Sequence, residues 1–364
     1  MTKVKRVFML SDTHLGLRSN NVEWLKIIES YFFDFFIPLC KKEYKEGDIL
    51  FHLGDVFDNR QTLGLFAQNL AIRIFEELGK IFPEIHIIVG NHDVARKNTN
   101  DITSIECLKY IPNVRIYKEP KVLNIQGKKC LLMPWRKDKE HEIETISQYP
   151  DVAYIFCHSE VNGLRMNSNP KIKSEHANDV KIFKNFKKIY SGHIHYSQIK
   201  NNFVLVGNPY EMTRSDSGNR KGIFILDLEK EEEIFFENNY SPKFLKMNII
   251  SILEMSLDDI RDKIKNNFID IYIPSELLTK YNFGYFLNLL EGYSRKLEPQ
   301  IYEKEQEKTI MFEDIEGDGE YKSFDIFSLS KTYVQNTQYS PEIKERILNS
   351  IKELYKDTQS KQLN

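Results

Sequence analysis

The chain has 364 residues, 41% of them hydrophobic and 12% aromatic. That is enough to bury the cores of two or three domains and too apolar for a disordered tail or a disulfide-stapled mini-domain. Lys and Arg number 51 against 53 Asp and Glu, a formal charge of −2, so net charge supplies no general attraction to nucleic acid, and a polyanionic substrate would have to be drawn by something local.

The first apolar run, Val7 to Leu10, is too short for a secretory signal, and no stretch approaches the ~20 apolar residues of a membrane span, so a cytoplasmic chain without a membrane partner is expected. Up to residue 240, apolar strands alternate with amphipathic helices. Strands are expected over 6–10, 48–53, 85–89, 153–157, 188–190, 203–206 and 222–228. Helices are expected from about Val22, over 62–79, and briefly over 104–110. This alternation implies a layered α/β domain. Between 114 and 133, and again after 203, strands follow one another directly, so part of the sheet should be antiparallel or mixed. Composition shifts at Ser241-Pro242. Residues 241–302 read as a small β-α-β-α-β module, a second domain or cap, with Ser256 capping a helix over 257–266. Residues 303–323 are acidic and punctuated by glycine, as suits a linker. Residues 324–364 return to helical patterning, broken at Ser340-Pro341, with Ile343, Ile347, Ile351, Leu354 and Tyr355 on one face. Such a terminal hairpin needs a surface to pack on, either the chain's own body or a partner.

Five polar clusters sit where apolar strands end: Ser11-Asp12-Thr13-His14, Gly54-Asp55, Gly90-Asn91-His92-Asp93, Cys157-His158 and Gly192-His193-Ile194-His195. In layered α/β folds the carboxyl ends of strands form the binding crevice, so the five clusters should converge. Imidazole and carboxylate donors with one carboxamide suit manganese, iron or zinc. Asp12, His14, Asp55, Asn91, His158, His193 and His195 make seven candidate ligands, too many for one tetrahedral ion. Two ions sharing Asp55 fit better, and the glycines before Asp55, Asn91 and His193 allow the tight turns that bring short side chains together. Any one cluster alone would more often be a satisfied core or surface group. His52, His86, His141 and His176 lie outside the pattern and read as structural. The four scattered cysteines, Cys40, Cys107, Cys130 and Cys157, lack zinc-site or disulfide spacing and read as small buried side chains in a reducing compartment. Arg60, Arg96, Lys97 and Arg136 stand in or near loops after strands and are candidates for phosphate contacts, though each singly reads as a solvated charge.

With D-x-H, G-D, G-N-H-D, H and G-H-x-H all intact, the sequence resembles the calcineurin-like metallophosphoesterase superfamily. Within it the likeness is to the SbcD-type nuclease subunits, and most of all to the recombination endonuclease subunits of T-even-type phages. It is carried by His86-Ile-Ile-Val-Gly-Asn-His-Asp93 with Lys97-Asn98, Pro112-Asn-Val-Arg-Ile-Tyr117 with Pro120, and Met133-Pro-Trp135. Glu160-Val-Asn-Gly163, Ser191-Gly-His-Ile-His195 and Gly207-Asn-Pro209 with Arg220-Lys-Gly222 complete it, over the first two-thirds of the chain.

The resemblance implies a four-layer α/β/β/α sandwich with a small α/β cap and a C-terminal helical hairpin. It implies a DNA nuclease using two divalent ions, manganese before magnesium, to act as a 3′–5′ exonuclease on duplex ends and an endonuclease on single strands in recombination and break processing. Asp12, His14, Asp55 and His195 would hold one ion, and Asp55, Asn91, His158 and His193 the other. His92 would protonate the departing 3′ oxygen, and Asp93 would orient that imidazole and favour its charged form. A homodimer is implied, as is an SMC-like coiled-coil ATPase of SbcC type gripped by the hairpin. Two departures stand out. Cys157 replaces a frequent glycine and should point into the sheet packing. Asp58 stands where some relatives carry a histidine implicated in exonuclease activity. The rival readings are a nucleotide or small-molecule phosphodiesterase or phosphatase of the same superfamily, and a dead scaffold. Asp58-Asn59-Arg60-Gln61 and Asp93 depart from the protein-phosphatase pattern, and a scaffold would show lost ligands where none is lost.

Overall fold

Arg6–Leu10 forms β1, with every residue buried because both faces of its sheet are covered. It lies parallel to β2 (Ile49–His52), β2 to β3 (Ile85–Ile88), and β3 to β4 (Val114–Tyr117). The chain then builds a second sheet from β5 (Lys121–Ile125), β6 (Lys128–Met133), β7 (Tyr154–His158), β8 (Lys188–Gly192), β9 (Gln198–Lys200) and β10 (Phe203–Leu205). β11 (Gly222–Asp227) and β12 (Glu232–Glu237) return to the first sheet. The two six-stranded orders are β12-β11-β1-β2-β3-β4 and β9-β10-β8-β7-β6-β5. Antiparallel pairing falls at β5/β6, β9/β10, β1/β11 and β11/β12, in the regions where strands follow one another without helices. The computed structural model describes residues 6–60, 62–96, 99–136, 138–165 and 177–302, together with 344–346 and 348.

Strand alternation sorts the apolar side chains into three cores. Val7, Met9, Phe51, Phe156, Tyr190 and Val204 meet between the two sheets. Phe8, Leu10, Leu50, Ile85 and Ile87 face the other way, onto α1 (Val22–Ser30) and α2 (Leu65–Gly79) through Ile28, Ala71, Ile74 and Phe75. Ile155, Cys157, Ile189 and Phe203 pack on α3 (Lys139–Gln148) through Ile146. Cys157 therefore points into packing and not toward the neighbouring ligand loops. No disulfide joins the described residues, and Cys40, Cys130 and Cys157 are buried.

Helix boundaries shift for local reasons. α2 begins at Leu65, three residues after the expected Thr62, because extended Gly64 is pressed against the Asn20 side chain. Residues 104–110 form a 3₁₀ turn and not an α-helix. Sequence patterning missed α3, whose apolar stripe is thin and whose start is marked by Asp138 accepting from the Glu140 N–H. Pro38 does not interrupt the helical backbone that runs from Val22 to Glu43; a π-helical turn over Tyr31–Phe36 stands just before it.

A third sheet follows, of three parallel strands: β13 (Phe244–Asn248), β14 (Phe268–Pro274) and β15 (Lys296–Tyr302). It is backed by α4 (Leu257–Ile264), capped by Ser256, and α5 (Gly284–Glu291). Trp24 of α1 stacks on Phe268 at 5.4 Å and 6°, joining this sheet to the first helix layer. Residues Met1–Glu316 make one compact unit and Gly317–Asn364 a second. In the second unit Lys344, Glu345, Arg346 and Leu348 are described and helical. The rest of the expected hairpin, and the linker over 303–323, lie outside the described residues. Among the described residues no helix is long and apolar enough to cross a membrane.

One buried ion pair ties the edge of this framework. Arg6 donates from Nε to Asp48 at 3.1 Å, and Asp48, with no exposed surface, also accepts from the Lys45 N–H at 2.8 Å. Asp48→Ala strands the guanidinium and should cost about 3–5 kcal/mol of unfolding free energy, read from the urea midpoint at unchanged m-value.

Candidate metal centre

The loops after β1, β2 and β3 carry Asp12 and His14, Asp55, and Asn91 and His92. From the second sheet come His158, the last residue of β7, and His193 and His195 just beyond β8. β7 and β8 are adjacent and parallel, with His158 opposite Gly192. The carboxyl ends of five strands from two sheets thus open on one place. The structure brings all seven candidate ligands together there.

Three sets of donor atoms lie within 4.8 Å of one another: Asp12, His14 and His195; His14, Asp55 and His92; and Asp55, His158 and His193. Asp55 is common to two of them. The His14 and His195 Nε2 atoms are 3.1 Å apart, and His14 Nε2 is 3.8 Å from Asp55 Oδ2. On the other side His158 Nε2 is 3.3 Å from Asp55 Oδ2. With its carboxamide oxygen inward, Asn91 presents Oδ1 to His158 Nε2 at 2.9 Å and His193 Nδ1 at 2.7 Å. Turned over, the amide N–H₂ faces them and the oxygen reaches Arg60 at 3.0 Å. Lone pairs that converge this closely are a donor set waiting on cations, and the residues present fit two ions of the first transition row.

Groups behind the donors fix their aim. His158 Nδ1 donates to the Leu53 carbonyl at 2.6 Å and His92 Nδ1 to the Asp58 carbonyl at 2.6 Å, which leaves Nε2 of each ring as the free nitrogen. His14 Nδ1 lies 3.2 Å from the Asp58 carboxylate. The His193 N–H donates to Asp12 at 3.1 Å, and the His92 N–H to Asp55 Oδ1 at 2.7 Å. Asp12, His14, Asp55 and His193 hold positive φ of 52°, 44°, 57° and 81°, a left-handed conformation that costs about 1–2 kcal/mol per residue outside glycine. Gly90 and Gly192 serve by close approach: a Cβ at Gly90 would meet Asp55 Oδ1 at 2.2 Å, and one at Gly192 would meet Ser11 Oγ at 2.1 Å.

Asp93 does not do what its position beside His92 suggested. Its carboxylate accepts from the N–H groups of Asp55 at 2.8 Å, Val56 at 3.0 Å, Phe57 at 3.3 Å and Gly90 at 2.9 Å, so it knots two ligand loops from behind. The His92 ring is oriented by Asp58 instead. Burial lowers His92 from its ordinary value, against the pull of Asp55, so the imidazole is not held in its charged form. Burial, followed by the Asp55 carboxylate, pushes Asp93 up to about 7. Burial also drives His193 and His195 down to about 3, leaving both neutral. His158 behaves oppositely: burial would lower it, but Asp55 outweighs that and raises it to about 9. Of the candidate phosphate contacts, Arg60 is at the centre's edge, Arg96 is exposed on a strand beyond it, and Lys97 lies outside the described residues. Sequence reasoning missed Glu160, 4.0 Å from His193 Nε2, and gave Lys221, which donates to the His195 carbonyl at 2.8 Å, no role.

The family model for calcineurin-like phosphoesterase matches residues 5–197, which is more than half of the chain and spans every ligand loop. The chain belongs to the calcineurin-like phosphoesterase family. It is a hydrolase of phosphate esters by that membership. It is 29% identical over 237 residues to exonuclease subunit 1 of Enterobacteria phage T4, covering 64% of this chain and 68% of that protein. Among solved structures it is similar to an archaeal phosphodiesterase, at 18% identity and a TM-score of 0.34, over 64% of this chain and 99% of the other. A protein of unknown function from Aquifex aeolicus matches at 22% identity and a TM-score of 0.26, over 43% of this chain and 80% of the other.

In this phosphoesterase a cation can take the His158 Nε2 lone pair only after its proton leaves. Below about pH 9 that proton is in place, so metal binding should release about one proton and the apparent Mn²⁺ affinity should rise up to about tenfold per pH unit between pH 6 and 8. Calorimetry in buffers of different ionisation enthalpy measures the proton count.

Proposed function

We propose that this phosphoesterase is a metal-dependent DNA nuclease subunit, acting on duplex ends and single strands within a recombination or break-processing complex. The observation that carries the reading is the three overlapping donor sets, two of which share Asp55 and two His14, and the likeness to a phage exonuclease subunit supplies the substrate class. Asp12, His14, Asp55 and His195 would hold one divalent ion, manganese by preference, and Asp55, Asn91, His158 and His193 a second. When bound, such ions polarise a phosphodiester and supply a water acidic enough to attack at neutral pH.

The protein's own groups do the rest. His92, its Nδ1–H fixed on the Asp58 carbonyl, would take up a proton at Nε2 from water and pass it to the departing 3′ oxygen. Because burial lowers its pKa, the protonated ring is a stronger acid than an exposed histidine. Asp93 acts at one remove, by keeping the Asp55 and Gly90 loops in register. Arg60, beside Asn91, is placed to meet a phosphate oxygen. The three apolar cores support reading the first two sheets and their helices as a four-layer α/β/β/α sandwich. On the same reading 1–240 is the nuclease domain, 241–302 its cap, 303–323 a linker, and 324–364 a hairpin that grips an SMC-like ATPase, in a cytoplasmic homodimer.

His92→Ala should lower manganese-dependent degradation of linear duplex DNA by about 10²–10⁴-fold while Mn²⁺ binding persists. Turnover confined to a small chromogenic phosphate ester, with DNA left intact, would favour a small-molecule phosphodiesterase. Removing residues 324–364 should leave cleavage by the isolated subunit and abolish co-purification with the ATPase. A complex that survives the truncation contradicts the hairpin assignment.

A further inference from the structure

We propose that the cleft beside the metal centre is a subsite for one unpaired nucleotide, in which Trp135 stacks on the base while Arg60 holds the adjoining backbone phosphate. This rests on the nuclease reading and names what that site takes. The cleft has a volume of about 220 Å³, and Asn91, His158 and His193 of the centre form its floor. Pro120, Met133 and Trp135 give it an apolar wall, and Arg60, Arg136 and His141 a basic one.

Trp135 stands on a fixed stem. Its N–H donates to the Val89 carbonyl at 2.9 Å and its carbonyl accepts from Asn100 Nδ2 at 3.1 Å. The indole packs on the core beneath the first sheet, is part-buried, lines the cleft, and has no aromatic or cationic partner among the described residues. The basic wall is unsatisfied in part, since the Arg136 guanidinium pairs through a terminal nitrogen with Glu119 while other nitrogens of the wall have no partner. Seven buried polar side-chain atoms among the described residues have no hydrogen-bond partner, and three of them, Arg60 Nε, Arg136 Nε and His141 Nε2, belong to residues of this cleft. Buried nitrogens left without partners are costly and call for an explanation. Arg60 gains a further free donor when the Asn91 oxygen turns inward, because the amide then no longer accepts from it. Of the two acids that line the cleft, Glu142 is occupied by Asn178 Nδ2 at 2.7 Å and Glu160 faces His193 Nε2 at 4.0 Å.

An open aromatic face beside guanidinium groups is the chemistry that binds a base by stacking and its phosphate by charge, without reading sequence. A base can offer that face to Trp135 only when it is out of a duplex stack. The substrate class is therefore a single-stranded or frayed end, with any of the four bases.

The test uses the full chain in Mg²⁺ and its own fluorescence. There are two tryptophans, and Trp24 is sealed between Phe268 and the Arg18 guanidinium, so quenching by an added nucleotide reports Trp135. Thymidine 5′-monophosphate should quench saturably, and 2-deoxyribose 5-phosphate and inorganic phosphate should bind at least about tenfold more weakly. In cleavage of a single-stranded oligonucleotide, Trp135→Ala should raise KM about tenfold at similar kcat, and Trp135→Phe, which keeps a stacking face, should restore it. Equal affinity for phosphate and nucleotide, or DNA cleavage without any nucleotide quenching, overturns the subsite and leaves the nuclease reading standing. Quenching by the nucleotide in a protein that cleaves no DNA supports the subsite and overturns the nuclease reading.

Discussion

The centre depends on one carboxylate that faces away from it. Asp93 gathers four backbone N–H groups from the loops after β2 and β3, and those loops carry Asp55, shared by two of the three donor sets, and Asn91, which meets His158 and His193. Without that knot, the left-handed Asp55 would relax toward ordinary backbone geometry and its oxygen would leave the point where His14 and His158 aim. Backbone strain at four of the seven candidate ligands is held in place by this kind of over-determination. The Leu15 N–H bound to the Val56 carbonyl at 2.8 Å and the Asp12 N–H bound to the Gly54 carbonyl at 3.0 Å add to it.

The same packing sets the electrostatics. Histidines and aspartates packed this closely would be a liability if all were charged. Burial makes His193 and His195 neutral, whereas Asp55 is held well below the usual carboxylate range, against burial, by His158 and His14. The result is a concentrated set of lone pairs in which His158 keeps its proton. A chain with a net charge of −2 can attract a polyanion at such a point, because divalent cations there would be the largest local charges in the molecule.

How much of this could be read in the sequence follows from which signals are local. β1, β2 and β3, and the polar clusters that end them, were legible because a buried parallel strand is a short apolar run stopped by glycine or a polar turn residue. The seven candidate ligands followed from chemistry that repeats at strand ends. The role of Asp93 was not legible. Adjacency to His92 suggested a pair, but the turn sends the two side chains opposite ways, and the donors Asp93 meets come from residues 36 to 38 positions earlier. α3 was lost because its stripe rests on few apolar residues, and α2 was placed three residues early because the pressure of Asn20 on Gly64 is a tertiary contact.

Lys221 shows how far such a contact can reach. Burial lowers its pKa and Asp216, at 2.7 Å, raises it. Its ammonium is tolerable inside only because Asp216, Asn208 and the His195 carbonyl take up its donors. Asp216 in turn accepts from the N–H groups of Met212 and Thr213, and the next residue, Arg214, pairs through Nε with Asp270 of β14 at 2.7 Å. The carbonyl of a candidate ligand is thereby linked, through a buried cation and its counter-ion, to the third sheet. A displacement of that sheet has a covalent and hydrogen-bonded route to His195 through these groups. Of the three donor sets, the one built on Asp12, His14 and His195 carries this direct tie to the third sheet, and the His193 N–H, which donates to Asp12, links it to the set around His158.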